Sequence, residues 1–577
     1  MNAAVMEVRA PSVRYLARAE PALLRGFEML STDIGGAAKL RKLIFSLAVQ
    51  GRIVSQVVGD GSATQALKRL GAIDAYSHAT ARAEAQGELF PNGWAAVMLA
   101  HLGRWAIGSG FAIVEQGKEN LPILFAKVSD MNRPGNERVI VSTAHTIDDD
   151  IARRIRVNIH PAGTVVFPKI GGAIATNKRR ILVRPTAIDN NCLGITPGPW
   201  CSTEYLHLLL TSIDFTVYQV GTSVPALSQG TLGQIPVGLP PLAEQHRIVA
   251  RVEELMKLCD ALEQSGRLAE EQHARLTATL FDALAASESA HALAENWQRI
   301  AEHFDLLLDR PETVDALEQT VLQLAVRGLL VSQDASEGTG DDLLERHVRA
   351  ARTSGKRART ELLPLTQEDG PFIIPPAWAW TRFGEVADVS GGVTLGRKGA
   401  LAQPVTLPYL RVASVQRGKL NLSAEVKTVA IDTAELPRFQ LKFGDLLITE
   451  GGDWDKVGRT CIWREEIATC LHQNHVFKAR GHTSEWLPAW GELYLNSADA
   501  RAYFAASAKQ TTNLASINMT ELRNCMFPLP PVAEQQRILA RVEELRSLCA
   551  QLRKRLTAAW QTQALLADVL VAQTASA

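Results

Sequence analysis

The stretch LPPLAEQHRIVARVEELMKLCDAL at residues 239–262 returns as LPPVAEQQRILARVEELRSLCAQL at 529–552, identical at 17 of 24 positions. A second pair, LAVQGRIVSQ at 47–56 and LAVRGLLVSQ at 324–333, matches at 7 of 10. The chain is a tandem duplication, and such a repeat takes precedence over any local reading. The offset between copies grows from 277 at the LAV segment to 284 at Pro91/Pro375 and 290 at the LPP segment, so the second copy gained a few residues where loops tolerate them. The LPP and LAV segments are kept alike. The intervening blocks of about 150 residues barely are, as expected if one frame presents two different surfaces.

At 577 residues the chain exceeds a single core. Hydrophobic content of 46% with 21% charged residues describes an ordinary soluble protein, and a formal charge of zero neither indicates nor excludes nucleic acid. No CxxC pair or His/Cys cluster stands at zinc spacing, so the seven cysteines read as reduced, mostly buried thiols in a cytoplasmic protein. Cys259 and Cys549, at equivalent places, read as small core residues. No apolar run is long enough to span a bilayer, so no membrane role is expected.

The LPP segments open long helices. Pro240-Pro241 and Pro530-Pro531 bar helix upstream, and Glu244 and Glu534 fall in the first turn, where the helix dipole favours negative charge. Apolar residues at Ile248, Val252, Leu255, Cys259 and Leu262, then Ala269, Leu276, Leu280 and Ala283, follow heptad spacing. In copy two the seam is Ile538, Val542, Leu545, Cys549, Leu552, Leu556 and Ala559. Gly266 and His273 interrupt the first seam and predict a weak spot. A helix over 243–285 is about 65 Å long at 1.5 Å per residue. Arg247, Arg251 and Glu254, repeated as Arg537, Arg541 and Glu544, lie mostly off the seam and form either a solvated face or a partner-docking surface. Pro311 opens the central LAV helix. Basic residues from Arg346 to Arg359 follow it and read chiefly as a solvated run. If the ends of the chain pack together, they rebuild the LAV–LPP pair and close the fold in a circular sense.

The variable blocks share a skeleton. Each opens with proline and tryptophan (Pro91/Trp94, Pro376/Trp378) and passes through glycines at 108/110 and 391/392. Each then has a turn feeding a buried strand, Ala162-Gly-Thr-Val-Val-Phe or Phe443-Gly-Asp-Leu-Leu-Ile, and closes with a polar loop before the double proline. Short strands punctuated by Gly and Pro, with a few helices, indicate α+β domains, largely antiparallel. No catalytic machinery is evident. Gly391–Lys398 lacks the lysine and Ser/Thr of a P-loop, Gly108-Ser-Gly110 reads as a turn, and every Pro-Pro follows Ile or Leu, unlike the amino-methyltransferase tetrapeptide. Asp453-Trp-Asp-Lys456 reads as a solvated turn. The polar loops suit nucleic acid instead. Asn177, Lys178, Arg179 and Arg180, and Lys509, Gln510, Thr511, Thr512 and Asn513, combine cations for phosphate with amides for base edges.

These parts together resemble the specificity subunit of type I restriction-modification systems: the Pro-x-x-Trp opening, Gly-Asp-Leu-Leu-Ile-x-x-x-Gly, Lys-Gln-Thr-Thr-Asn-Leu, and Pro-Leu-Pro-Pro-x-x-Glu-Gln-x-x-Ile. The resemblance covers nearly the whole chain. It implies two tandem target recognition domains separated by long antiparallel coiled-coil helices, pseudo-twofold and circularly organised. The expected parts are an N-terminal helical segment (1–87), recognition domain 1 (88–240), a central helical spacer (241–369), recognition domain 2 (370–530) and a C-terminal helix (531–577). The resemblance implies a non-catalytic subunit that binds double-stranded DNA, docks two adenine methyltransferase subunits and recruits motor-nuclease subunits. S-adenosylmethionine, ATP and magnesium then belong to those partners, with no cofactor in this chain. The family's DNA-reading loop falls on Lys509–Asn513 in block two and on Gly221, Thr222, Ser223 and Gln229 in block one, where Val224-Pro-Ala replaces the usual amide run. Thr164 stands where block two has Asp445. The alternative is a helical adaptor whose two blocks bind proteins.

Overall fold

A computed structural model describes residues 35–69, 90–221, 224–287, 289–353, 365–396, 401–423, 426–452, 456–511 and 514–576. It divides into two units: residues 1–269 with 561–577, and residues 270–560. Both mix helix and sheet, and their principal strands repeat one order.

In unit 1 the strands Gly103–Ile107, Cys192–Pro197, Val165–Pro168 and Arg180–Leu182 lie side by side in that order, antiparallel. Unit 2 orders Ala387–Ser390, Val476–Gly481, Leu446–Thr449 and Thr460–Ile462 the same way. The third strand of each set is buried along its whole length and leaves a turn in which glycine adopts positive φ, at Gly163 (85°) and Gly444 (83°), as the sequence indicates. A second sheet pairs Ile123–Ala126 in parallel with Thr186–Ile188, and Pro404–Leu410 in parallel with Leu471–His472. Finally, the strand after the Pro-x-x-Trp opening pairs antiparallel with the strand before the double proline: Ala95–Met98 with Pro236–Leu239, and Ala379–Arg382 with Met526–Leu529. Each block thus returns to its own start, which puts its two ends beside the helices that carry it.

The long helices are Leu242–Ala285 and Val532–Ser576. Helix continues through Gly266 and His273, so the expected weak spot is no break; His273 Nε2 instead meets the Leu306 carbonyl at 2.9 Å. The first seam needs a correction. Ile248, Val252, Leu255 and Cys259 are buried as expected, but residues 263–272 are exposed throughout, and Leu276 is 49% exposed. Burial resumes at Thr277, Phe281 and Leu284; of the expected Leu276, Leu280 and Ala283 only Leu280 packs against that cluster, half-buried. A 3.6-residue helix drifts off a strict 3.5-residue repeat, which rotates the distal apolar stripe away from the expected positions.

Each unit has its own helical core. In unit 1, Leu40, Leu43, Ile44 and Leu47 of the helix Gly36–Val49 share one cluster with Val252, Leu255 and Cys259, and with Ala567 near the chain's end. Lys39 Nζ reaches the Ala564 carbonyl at 3.0 Å and the Asp568 carboxylate at 2.9 Å, and Arg52 reaches the Thr574 carbonyl at 3.0 Å. In unit 2, Leu317 and Leu324 of the helix Pro311–Val326 share a cluster with Phe281, Leu284 and Cys549, and Arg327 reaches the Ala285 carbonyl at 3.1 Å. The LAV helix therefore meets the start of one long helix and the end of the other inside each unit, a fuller arrangement than the end-to-end pairing expected. All seven cysteines are buried, and burial pushes the Cys259 thiol up to about 11.

Candidate nucleic-acid interface

Each variable block hangs from its helices by a clasp that is built twice. Gly51 and Gly328, equivalent residues after the LAV helices, both have positive φ (71° and 73°). A Cβ on Gly51 would stand 2.5 Å from Pro91 Cγ and 2.8 Å from the Trp94 ring; on Gly328 it would stand 2.4 Å from Pro375 Cγ and 2.9 Å from the Trp378 ring. The tryptophans are buried against the first turn of each long helix, where the Trp94 indole N–H donates to Glu244 Oε1 at 2.9 Å and Gln333 Nε2 donates to Glu534 Oε1 at 2.6 Å. Burial holds both carboxyls above the usual carboxylate range, opposed by those donors. Next to them Arg247 pairs with Asp60 (Nη1–Oδ1 3.0 Å) and Arg537 with Glu337 (2.7 and 2.8 Å).

At the exposed edge of unit 2, Lys509–Thr511 and Leu514–Ser516 form a hairpin, with Gln510 opposite Ala515. Gly451–Gly452 adds a third strand against Ala515 and Ser516. In unit 1 the same edge shows, among the described residues, the single bridges Ile170–Ala226 and Val220–Ala226. Pro225 has no N–H to complete the ladder towards Gly171, although its carbonyl accepts from the Gly171 N–H at 2.7 Å.

Behind each edge runs the same chain of backbone bonds. Ile517 N–H donates to the Glu450 carbonyl (2.9 Å) and Glu450 N–H to the His475 carbonyl (3.0 Å). In unit 1, Leu227 N–H donates to Lys169 and Lys169 N–H to Asn191, both at 2.8 Å. The edge is thereby fixed to a three-residue turn, Gln473-Asn474-His475 in unit 2 and Asp189-Asn190-Asn191 in unit 1. A glycine lies against each turn: a Cβ on Gly108 would stand 1.8 Å from the Asp189 carbonyl oxygen, and one on Gly392 would stand 2.0 Å from that of His472. Gly108-Ser-Gly110, expected as a turn, is extended, with Ser109 bridged to Asp189 just as Val393 is bridged to Gln473. These glycines serve close backbone approach.

The sequence-predicted residues divide sharply. Lys509 is exposed on the hairpin and Gln229 is exposed at the start of the helix Gln229–Gly233. Gln510 and Thr511 lie in the hairpin backbone; Thr222, Ser223, Thr512 and Asn513 lie outside the described residues, as do Lys356, Arg357, Arg359 and Asp453–Asp455. All four side chains of the run Asn177–Arg180 are engaged in hydrogen bonds within unit 1, and Arg179 is buried. Arg179 is a correction: it is 2% exposed, donates to the Leu210 and Lys178 carbonyls at 3.0 and 3.1 Å, and stacks over Phe215 with 4.0 Å to the ring centroid. Burial lowers its pKa. It packs beneath the helix Thr203–Ser212 and holds no side-chain atom out for a ligand. Arg180 bonds the Arg179 and Met131 carbonyls, Asn177 the Thr211 carbonyl, and Lys178 the Asn132 amide. Among the docking candidates, Arg247 and Arg537 belong to the clasp. Arg251–Glu254 and Arg541–Glu544 are intrahelical pairs at 2.6 Å whose glutamates stay open to solvent.

Sequence reasoning missed an apolar cavity of about 400 Å³ in unit 2, lined by Leu284, Trp297, Phe304, Leu324, Arg541 and Leu548, among others. Trp297 and Leu548 at its rim are 45% and 52% exposed. Leu548, off the heptad seam, was the available signal.

Comparison with known proteins follows this geometry. Residues 124–271 and 375–559, more than half of the chain, match the family model described as the type I restriction modification DNA specificity domain. The chain is 28% identical over 577 residues to the type I restriction enzyme EcoEI specificity subunit of Escherichia coli, with 93% of this chain and 94% of that one covered. The EcoAI specificity subunit of Escherichia coli is also 28% identical, over 574 residues with the same coverage. The crystal structure of the HsdS subunit from Thermoanaerobacter tengcongensis aligns with 84% of this chain and 97% of its own, at 17% identity and a TM-score of 0.37.

Proposed function

Since the chain belongs to the type I restriction-modification DNA specificity family, as a specificity subunit without catalysis of its own, we propose that its two blocks read the two halves of one asymmetric, bipartite DNA target. The observation that carries this reading is the exposed edge built twice on one backbone plan with different side chains: Lys509-Gln510-Thr511 on a three-stranded edge in one block, Val220-Gly221 and Val224-Pro225-Ala226 on bridges in the other. Amides and hydroxyls on such an edge suit adenine and thymine edges in a major groove, while Lys509 suits phosphate.

The long helices act as an antiparallel coiled-coil spacer that relates the blocks by a pseudo-twofold axis. Each LAV helix sharing a core with the start of one long helix and the end of the other supports this. Dissimilar blocks on such a frame read different half-sites on either side of a non-specific gap. Two adenine methyltransferase subunits dock on the helices, with Arg251/Glu254 and Arg541/Glu544 on the docking faces; the cavity beside Arg541 supports the second of these. Motor-nuclease subunits join that complex. Adenine is drawn from the stack and methylated in the partner, which holds S-adenosylmethionine, while ATP and magnesium serve the motor. The complex works in the cytoplasm; among the described residues no helix is long and apolar enough to cross a membrane.

The test is the N6-methyladenine pattern of cells carrying the full chain and its methyltransferase. One bipartite motif is expected. Four residues inserted in phase near Gly266 lengthen the helix by about 6 Å and should widen the gap by one or two base pairs with both half-sites unchanged. A changed half-site with the same gap would count against the spacer.

A further inference from the structure

The turn behind each edge does more than anchor that edge. Its backbone is pinned from several sides. Gln473 N–H donates to Leu410 (2.9 Å), Asn474 N–H to Val393 (3.0 Å) and Val476 N–H back to Gln473 (2.8 Å), while the His475 carbonyl accepts from Glu450. In unit 1, Asp189 N–H donates to Ala126 (3.0 Å), Cys192 N–H to Asp189 (3.0 Å), and the Asn191 carbonyl accepts from Lys169. The scaffold is the same at both turns; the side chains are not.

Those side chains carry amides without a partner among the described residues, whereas several amides elsewhere are fully engaged. Asn136 uses its amide on the Asp130 and Ser142 carbonyls, Asn496 on Thr460, and Gln245 on Pro240 and Trp200. Gln473 and Asn474 are half-buried, Asn190 is exposed, and among the described residues their amides make no hydrogen bond. A rigid backbone carrying unengaged amides beside the exposed hairpin is pre-organised to meet a ligand edge, since little freedom is lost on binding. A carboxamide has one donor and one acceptor at the spacing of the adenine N6/N7 pair. The flanking groups also differ. His475 Nδ1 lies 2.7 Å from Glu450 Oε2 in unit 2, whereas in unit 1 Asn191 Nδ2 donates to Asp189 Oδ2 at 3.1 Å and Lys169 replaces the glutamate.

We propose that Gln473 and Asn474 in unit 2, and Asn190 in unit 1, are specificity-determining residues that read base edges in the duplex alongside the hairpin. This rests on the half-site reading above, and its failure is separable from failure of that reading. Methylated motifs are called in cells carrying the full chain with its cognate methyltransferase. If the unmodified protein yields no bipartite motif, the half-site reading itself falls, and this inference with it. If it does, Gln510→Ala, on the hairpin of unit 2, identifies the half-site belonging to that unit.

Asn474→Ala should then relax one position within that half-site, lowering discrimination there roughly 5- to 150-fold, with the other half-site intact. Asn190→Ala should do the same in the other half-site. Asn474→Asp keeps the shape but can only accept, so it should shift preference at that position towards cytosine, whose N4 donates. An unchanged motif at normal methylation in all of these variants and in Gln473→Ala overturns the inference. So does a uniform fall at every site with the motif unchanged, or loss of random-duplex binding together with methylation, either of which assigns phosphate contact or structural support.

Discussion

Asp445 and Arg480 in unit 2 occupy the places that Thr164 and Thr196 hold in unit 1. The first pair is a two-pronged ion pair at 2.6 Å with Asp445 buried; the second is a hydroxyl pair at 2.8 Å, with Thr164 also donating to the Pro161 carbonyl. Both sit where the turn enters the buried strand. The same backbone corner has been satisfied twice, once with charge and once without, and both members changed together. What is held constant between the units is the geometry; what varies is the chemistry that fills it.

That contrast can be broken by removing one partner on each side. Asp445→Ala should cost about 3 kcal/mol, because it strands a partly buried guanidinium. Thr164→Val should cost about 2 kcal/mol, the two neutral hydrogen bonds of its hydroxyl. Asp445→Thr combined with Arg480→Thr should recover most of the larger loss, and thermal unfolding of the three variants checks all of this. A double variant no better than Asp445→Ala would show that the two corners are not interchangeable.

Effects of intermediate size test the clasp and the misread arginine. Gly51→Ala and Gly328→Ala should each cost about 2 kcal/mol, since positive φ and a Cβ against a proline ring are both disallowed. Their near-equality in melting experiments is the sharper expectation. Arg179→Met should cost a similar amount, about 2 kcal/mol, through lost carbonyl bonds and ring stacking, while leaving the salt dependence of duplex binding unchanged. Lys509→Ala should do the reverse, reducing the magnitude of that slope by about one.

The smallest effect is in pH. Burial raises the pKa of Glu244 and Glu534 in the folded chain, so the fold binds their protons more tightly than the unfolded chain does. Their contribution is therefore greatest in acid and declines as pH rises from the ordinary glutamate range through the raised folded values. Glu244→Gln with Glu534→Gln should flatten that decline, seen as a smaller difference in melting temperature between pH 5 and pH 7 than the parent shows, once the common background is subtracted.

Repetition made the frame legible. Two copies of LPP–AEQ–RVEEL and LAV–G–VSQ placed the helices, and the turn before Val165 and Leu446 was readable because glycine preceded a wholly apolar run. The distal seam was not, because heptad counting cannot see helical drift. Lys509 was legible as a cation in a polar loop, though not the hairpin that the loop forms. Arg179 was misread because a run of basic residues looks like surface, whereas the chain turns its third member inward beneath an apolar helix. The turn at 473–475 left only a weak trace, three polar residues between the buried Leu471–His472 and Val476–Gly481 strands; its importance comes from strands far apart in sequence meeting there.

Ala567, fully buried beside Leu40 and Leu255, has a consequence for how the molecule is made. Unit 1 takes in residues 561–577, which leave the ribosome long after the rest of that unit. A nascent chain released up to Ala269 carries a hydrophobic groove whose filler does not yet exist. The last piece of the unit 1 core is thus made only after the whole of unit 2 has been translated.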